Sequence, residues 1–407
     1  MQRAPRSTIA HPIAQAWLAK GATGAPNYDE FASDAEVTAA IAANPDSVLA
    51  VEMPHRVPDQ VGTAFSDALG SALARWRHLQ AEKFAAERDV VAPYRITTDD
   101  GEFYGVFCLM ETAQISSSAD EPGGIIRNED VFINKVRERV ALTETLGAAL
   151  SPVLLLQTQV PQGCDADLRQ FLTTLIPMLG AAAHEETDEH GNEHAIWTLG
   201  PSPQRDELLL LAGGGELIVA DGNHRTLAAQ TAGLDKFLAV VTSAESVNIA
   251  PYHRLVSELP ITVAELLTEL KAAGFNIHPE TGVVRTGTIE LYADGTRYFV
   301  ELPKATGSVV DTLDHTIVEK LLFNEILDLD AGDKRITYVG GDYPLSWLRE
   351  QVDKGESAVA IIIAPVRVDD FVAVNLDRLK MPRKSTWFTP KARAGLVCAQ
   401  VLADDNI

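Results

Sequence analysis

Apolar residues recur along this chain with two different periods, and the switches between them mark a mixed succession of helices and strands. A recurrence every three to four positions predicts helices over 34–43, 62–88, 134–150, 168–183, 262–273, 316–327 and 366–377. Within 62–88, Leu69, Leu73, Trp76 and Leu79 share one side. Short apolar or alternating runs predict strands at 47–52, 94–97, 102–111, 194–199, 217–219, 237–242 and 358–363. Turn residues at Thr98-Asp99-Asp100-Gly101 and Ala293-Asp294-Gly295 suit hairpins. Residues 116–124 and the Lys-Ser-Thr segment near the end read as loops. The class is therefore mixed α/β. No unit of about 20 to 50 residues repeats, and the motifs fall into three regions, 1–160, 161–260 and 261–407.

The most informative stretch is Glu216-Leu217-Ile218-Val219-Ala220-Asp221-Gly222-Asn223-His224-Arg225. An apolar strand runs into an aspartate, a glycine that permits a sharp turn, and an Ala-rich helix whose first turn carries His224 and Arg225. Unpaired backbone N–H groups at a helix start attract phosphate, and a neighbouring cation adds to the pull. The same pattern also fits an ordinary strand-to-helix connection with Asp221 as N-cap.

Composition narrows the field. Acidic residues outnumber basic ones 57 to 34, for a formal charge of −23, which opposes contact with nucleic acid. Against that background Arg383, Lys384, Lys391 and Arg393 gather near Ser385 and Thr386, either as a phosphate-binding loop or as a charged surface loop. The three cysteines, Cys108, Cys164 and Cys398, are widely spaced and suit buried apolar positions in a reducing compartment. His11, Pro12, Gln15 and Lys20 interrupt the apolar run a signal peptide needs, and no window reaches the roughly 18 apolar residues of a membrane span, so a cytoplasmic setting is expected. The histidines and carboxylates of 184–194 have no protease-like metal spacing and read as a solvated hairpin loop beside a zinc alternative. Gly213-Gly214-Gly215 lacks the Lys-Ser/Thr of a P-loop.

Several segments together resemble a bacterial family of unknown function that carries an Asp-Gly-His-His-Arg signature and is related to the ParB/sulfiredoxin-like superfamily. Asp221-Gly222-Asn223-His224-Arg225 is similar to that signature, and Ala25-Pro26-Asn27-Tyr28-Asp29 to a Pro-Pro-Tyr-Asp segment. Arg127-Asn128-Glu129, followed by Arg139 and Leu150-Ser151-Pro152-Val153, resembles an Arg-His-Glu segment. His194 with Trp197, Pro251-Tyr252-His253-Arg254, and the run from Met381 to Lys391 match further elements in order. At Asn128 and Asn223 this chain departs from the pattern, which has histidine at both.

The resemblance implies a ParB-like nucleotide-binding core with additional α+β elements. It also implies a superfamily range from free serine kinases through CTP-binding ParB proteins to sulfiredoxins. Sulfiredoxin chemistry needs a cysteine where Asn223 stands. The leading expectation is phosphoryl transfer from ADP or ATP, with Mg²⁺, to a small hydroxylated metabolite, free serine first. Gly222, Asn223, His224 and Arg225 would hold phosphate, with Lys384, Ser385, Thr386, Lys391, His253 and Arg254 in support. Asp221 would bind Mg²⁺ or orient the hydroxyl, His224 would join the chemistry, and Glu129 would be the base, with Asp29 second and Tyr28 and Arg139 beside them. Glu129 taken alone reads as a surface acid, the resemblance putting a functional role beside that reading, and His253-Arg254 reads also as a structural pair. A non-catalytic nucleotide or metabolite sensor is the rival class, a phosphatase or nuclease a weaker one, and a homodimer stays open.

The charge balance yields one expectation at once: double-stranded DNA should not bind. An anisotropy titration at about 150 mM salt should give no affinity tighter than about 10⁻⁴ M, and micromolar binding would restore a ParB-like role.

Overall fold

The computed structural model describes residues 8–116, 123–129, 131–160, 164, 167–278, 282–330 and 332–403; most of the loop expected at 116–124 lies outside them. The chain divides into two compact units, Met1–Val247 with Pro390–Ile407, and Asn248–Thr389. Among the described residues no helix is long and apolar enough to cross a membrane.

The first unit is built on a ten-stranded mixed sheet. Its centre is Gly101–Glu111, Lys236–Ser243, Val153–Gln157 and Leu217–Asp221, the second and third of these parallel and the other neighbours antiparallel. Alternation does the sorting: Val106, Cys108 and Met110, Leu217 and Val219, and Ala239 and Val241 all join one core. Leu168 and Leu172 of the helix Leu168–Leu175, and Leu208 and Leu211 of the helix Pro203–Ala212, cover that face. Burial pushes the Cys108 thiol up to about 12, so it packs as a small apolar residue.

A smaller antiparallel sheet orders Phe84–Val90, Ile13–Ala19, Val397–Gln400 and Ala148–Ala149. The helix Phe65–Glu82 lays Phe65, Ala72, Trp76 and Leu79 into a second core with Tyr28, Ile41 and Val51. Trp76 meets Trp17 and Phe84 edge-on at 5.4 and 5.5 Å.

Two expectations change here. The helix expected over 62–88 stops at Glu82, and Phe84–Val90 is a strand, because pairing with Ile13–Ala19 outweighs the helical pattern. The run expected as a strand at 47–52 is instead a short helix, Leu49–Glu52, with all four residues buried. A short apolar run buried all round carries no period by which to choose. Elsewhere ends move inward: the helix expected over 168–183 ends at Leu175 and is followed by a single 3-10 turn, Ile176–Met178, that contains Pro177, and that over 134–150 ends at Leu146 on Gly147, whose φ is +66°.

The second unit has a six-stranded antiparallel sheet, in the order Asn276–His278, Thr296–Glu301, Thr288–Ala293, Val359–Ile363, Tyr252–Val256 and Ile336–Gly340. Leu266 and Leu270 of the helix Val263–Ala272 and Val318, Leu322 and Phe323 of the π-helix Val318–Ile326 pack with Ile289, Leu291 and Ile361. Glu290, buried in the middle of this sheet, accepts two hydrogen bonds from Arg297, at 3.0 and 2.5 Å, and two from Arg349, at 3.0 and 2.8 Å.

Removing that carboxylate strands two guanidiniums, but both keep contact with water, so the cost falls below that of breaking a wholly buried pair. Glu290→Ala should lower the stability of this unit by roughly 1.5–3 kcal/mol in urea unfolding. A loss below about 0.5 kcal/mol would show that the four bonds only replace water.

Candidate functional site

The strand Leu217–Asp221 is buried as far as Ala220 and delivers Asp221 at its end, past an irregularity in its pairing with Val153–Gln157. Gly222 then turns the chain with a φ of +98° and serves as N-cap of the helix Asn223–Thr231, so Asp221 is not the cap. A side chain at Gly222 would be strained, and its Cβ would come within 3.3 Å of the Val153 backbone and 3.1 Å of Arg225 Nε. Glycine is therefore needed for the turn and for the arginine packed against it.

Arg225 faces the protein. Its Nη2 donates to Asp221 Oδ2 at 2.6 Å, and its Nη1 donates to Asn27 Oδ1 at 2.9 Å and to the Pro152 carbonyl. Burial lowers its proton affinity, but Asp221 and Asp29 more than offset this and keep the guanidinium charged. Asn27 hands the link on: its backbone N–H and its side-chain amide both donate to Glu30 Oε1, at 2.8 and 2.5 Å. Lys391 Nζ closes the ring on Asp221 Oδ1 at 3.4 Å. The loop at residues 25–30, the turn at 221–225 and the segment around Lys391, far apart in sequence, meet here. Backbone pairing of Ala25 with Ala394, at 3.1 Å both ways, and an Asn27–Ala392 hydrogen bond at 3.3 Å hold the two outer segments together.

The Asn-Glu segment docks on the first turn of the same helix. Asn223 Nδ2 donates to Asn128 Oδ1 at 2.6 Å, and the Asn128 N–H donates to Asn223 Oδ1 at 3.3 Å. Two asparagines 95 residues apart in sequence are thus bonded to each other. His224 Nε2 accepts the Phe132 N–H at 3.1 Å, and the two rings stack 6.1 Å apart. With that lone pair taken, His224 acts here as a support for the segment. Glu129, half-buried, follows Asn128 on the stretch pinned between these two contacts.

Beside the turn, Tyr28 lies under Arg139, whose guanidinium carbon sits 4.2 Å from the ring centre. Burial raises the Tyr28 hydroxyl well above its ordinary value. Arg139 Nη2 donates to the Glu52 carbonyl at 2.8 Å, and Ser151 Oγ donates to Glu52 Oε1 at 2.6 Å. Asp29 is half-buried next in sequence to Tyr28.

Sequence reasoning passed over Glu30 and Glu52. Glu30 sits one residue beyond the Tyr-Asp segment, and Glu52 closes an apolar run; an acid ending a buried stretch was the available signal.

The remaining expected residues belong to the second unit. Arg254 is fully buried: it donates to the carbonyls of Tyr252, His253 and Arg383 at 3.1, 3.2 and 3.3 Å, pairs with Glu319 at 3.3 Å and stacks 4.4 Å from the Tyr338 ring. His253 Nδ1 accepts the Ile363 N–H at 3.3 Å, and burial with Arg254 nearby lowers its pKa to about 4. Ser385 Oγ donates to the Pro382 carbonyl at 2.7 Å, Lys384 Nζ lies 5.7 Å from the Tyr252 ring centre, and half-buried Thr386 precedes the strand Trp387–Thr389. Here the arginine and histidine brace a sheet.

The hairpin at 184–196 is also more than a loop. His194, buried, bridges Tyr94 at 2.5 Å and Asp188 at 3.0 Å, while Glu186 and Glu189 grip Arg393 at 2.9 and 2.7 Å. Among the described residues no group of three or more His, Cys, Asp or Glu side chains is arranged to hold a metal. Asp221, facing two cations, could offer Mg²⁺ a single ligand beside nucleotide phosphates.

A mixed α/β unit with an acid-glycine turn opening a helix is thus the class that fold and site define. The chain belongs to the family described as a protein of unknown function (DUF1015), which matches residues 13–316. No curated protein matches it. Among solved structures it is similar to a conserved hypothetical protein from Pyrococcus furiosus, at 13% identity and a TM-score of 0.38, covering 71% of this chain and 95% of that one. It is similar also to a free serine kinase in complex with AMP, at 14% identity and a TM-score of 0.39, covering 71% and 92%. A third is SbnI with a C-terminal truncation from Staphylococcus aureus, at 13% and 0.38, covering 71% and 87%.

Burial raises the Glu30 carboxyl to about 7, with Lys391 pulling it down and Asp221 pushing it up. The folded protein therefore holds this proton more tightly than the unfolded chain. The stability it contributes is greatest below the ordinary value of 4.5 and is lost as pH rises through 7. Glu30→Gln, which cannot ionise, should gain stability relative to wild type between pH 5 and pH 8 in urea unfolding. Parallel pH curves for the two proteins would place Glu30 in water.

Proposed function

We propose that the first unit binds a nucleotide or other phosphorylated metabolite at the start of the helix Asn223–Thr231. We propose further that it transfers a phosphoryl group from ADP or ATP to a small hydroxylated metabolite, free serine being the leading acceptor. The observation that carries the reading is the convergence of the 25–30 loop, the Asn128–Glu129 segment, the glycine turn and Lys391 on one helix start. The choice of serine rests on the family resemblance alone.

Phosphoryl transfer calls mainly for neutralised charge and an aligned acceptor. Backbone N–H groups of the first helical turn would take phosphate oxygens, and Lys391 would add the positive charge. Arg225 supports them from beneath by holding Asp221 and Asn27 in place. The acceptor oxygen would attack the terminal phosphorus as the bond to the bridging oxygen breaks and AMP or ADP leaves, the acceptor's proton passing to Glu129, with Asp29 or Glu30 the nearby alternatives. Mg²⁺, when bound with the nucleotide, would neutralise phosphate charge.

One observation favours a second reading, a sensor that binds and does not react. Asn128 and Asn223 pair through groups that do not titrate, where the two elements they resemble, Arg-His-Glu and Asp-Gly-His-His-Arg, each have a histidine.

The two readings separate on Lys391→Ala and Glu129→Gln. Loss of the lysine contact should weaken ADP or ATP binding roughly ten- to a hundredfold by calorimetry. Glu129→Gln should bind as wild type yet transfer no phosphate to serine by phosphorus NMR. Wild type that binds nucleotide but phosphorylates no small hydroxy compound is the sensor; equal affinity in Lys391→Ala removes this lysine from the site.

A further inference from the structure

From Pro390 to Arg393 the chain forms neither helix nor strand, yet this stretch carries Lys391 to Asp221. Without a ladder of its own, its course is set by the side chains and carbonyls that its neighbours offer it. The 184–196 hairpin supplies most of them, all at Arg393. Glu186 Oε1 accepts from Arg393 Nε at 2.9 Å, and Glu189 Oε2 accepts from Nη1 at 2.7 Å. Glu186 is buried with the guanidinium, whereas Glu189 is 44% exposed, so water screens its share and Glu186 carries the grip.

The main chain of the same residue is held from the same side. The Tyr94 hydroxyl takes the Arg393 backbone N–H, and lies 2.5 Å from His194 Nδ1, whose Nε2 lies 3.0 Å from Asp188 Oδ2. With the imidazole proton on Nε2 every donor in this chain meets an acceptor: Arg393 N–H to Tyr94, Tyr94 O–H to Nδ1, and Nε2–H to Asp188. Glu186 reaches the other outer segment as well. A Cβ at Gly24 would collide with its carboxylate, which therefore lies against the backbone leading into Ala25. Ala25 in turn pairs with Ala394, and Asn27 donates to the Ala392 carbonyl.

We propose that the 184–196 hairpin is a clamp on the nucleotide site, and that Arg393 and Glu186 are positioning residues which set where the Lys391 ammonium sits. This rests on the reading of Lys391 as the cation that meets phosphate. Two residues of extended chain span about 7 Å, too little to absorb a displacement of Arg393 before it reaches Lys391. The lysine side chain is 14% exposed and its Nζ lies 3.4 Å from Asp221, so release of the segment would move the ammonium out toward water and away from the helix start. Neither Arg393 nor Glu186 needs to touch the ligand for this. Both act through the backbone between residues 391 and 393.

Lys391 is read first without any ligand, on the full chain, by acetic anhydride labelling and peptide mass spectrometry. It should react at least about fivefold faster in Arg393→Ala and in Glu186→Gln than in wild type, while Lys83 of the same unit keeps its rate. ADP affinity by calorimetry follows. Arg393→Ala should weaken it roughly tenfold, and adding Lys391→Ala should cost no more than about a further twofold, because both changes remove one interaction. Unchanged Lys391 reactivity in both variants, or losses that multiply in the double variant, overturn the proposal. Equal acceleration at Lys83 makes the hairpin a general brace and overturns it too. Should Arg393→Ala not fold, Glu186→Gln decides by the same labelling and the same double-variant comparison. If Lys391→Ala alone binds ADP as wild type does, the phosphate-binding reading of Lys391 fails, and the labelling still decides whether the hairpin places the lysine.

Discussion

A guanidinium taken out of water must be given back its hydrogen bonds and its counter-charge, and at Arg225 that demand shapes the first unit. The desolvation of such an ion costs several kcal/mol unless it is well paired. Here a carboxylate, an amide oxygen and a main-chain carbonyl meet it, from Asp221, Asn27 and Pro152. These three residues come from the end of a strand, a loop near the amino terminus and the approach to another strand. Satisfying one charge therefore fixes the register of three segments, and Asn27 extends the constraint to Glu30.

Much of this architecture could be read from the residues. The strand-glycine-helix passage at 217–231 declares itself through an apolar run, a glycine and an alanine-rich helix, and the structure has all three. The role of Arg225 was harder to read, because a cation at a helix start looks the same whether it points at a ligand or back into the protein. Only long-range partners such as Asn27 and Pro152 distinguish these, and their separation in sequence hides them. The same holds for Arg254, whose burial follows from strand pairing and from Glu319, 65 residues away. Phe84–Val90 exposes three successive charged residues, Glu87, Arg88 and Asp89, so only its partner strand explains it.

The pair Asn128 and Asn223 is a second joint of the same helix start. Either asparagine alone would leave a buried donor or acceptor poorly matched. Together they exchange two hydrogen bonds and fasten Asn128 to the helix start. Neither amide takes up or releases a proton near neutral pH, so this joint holds the same geometry across that range.

In the small sheet, the strand Val397–Gln400 lies between Ile13–Ala19 and Ala148–Ala149, so the first strand of that sheet to be synthesised waits for the last. Pro390–Ile407, which belongs to the first unit, also brings Lys391 to Asp221 and Arg393 to the 184–196 hairpin. A nascent chain on the ribosome can form the Asn248–Thr389 unit from contiguous sequence, yet it must hold an unfinished sheet edge and an unpaired Asp221 Oδ1 until residues 391–400 emerge. The network around Asp221 is thus sensitive to truncation upstream of Lys391 in a way that the Asn248–Thr389 unit is not.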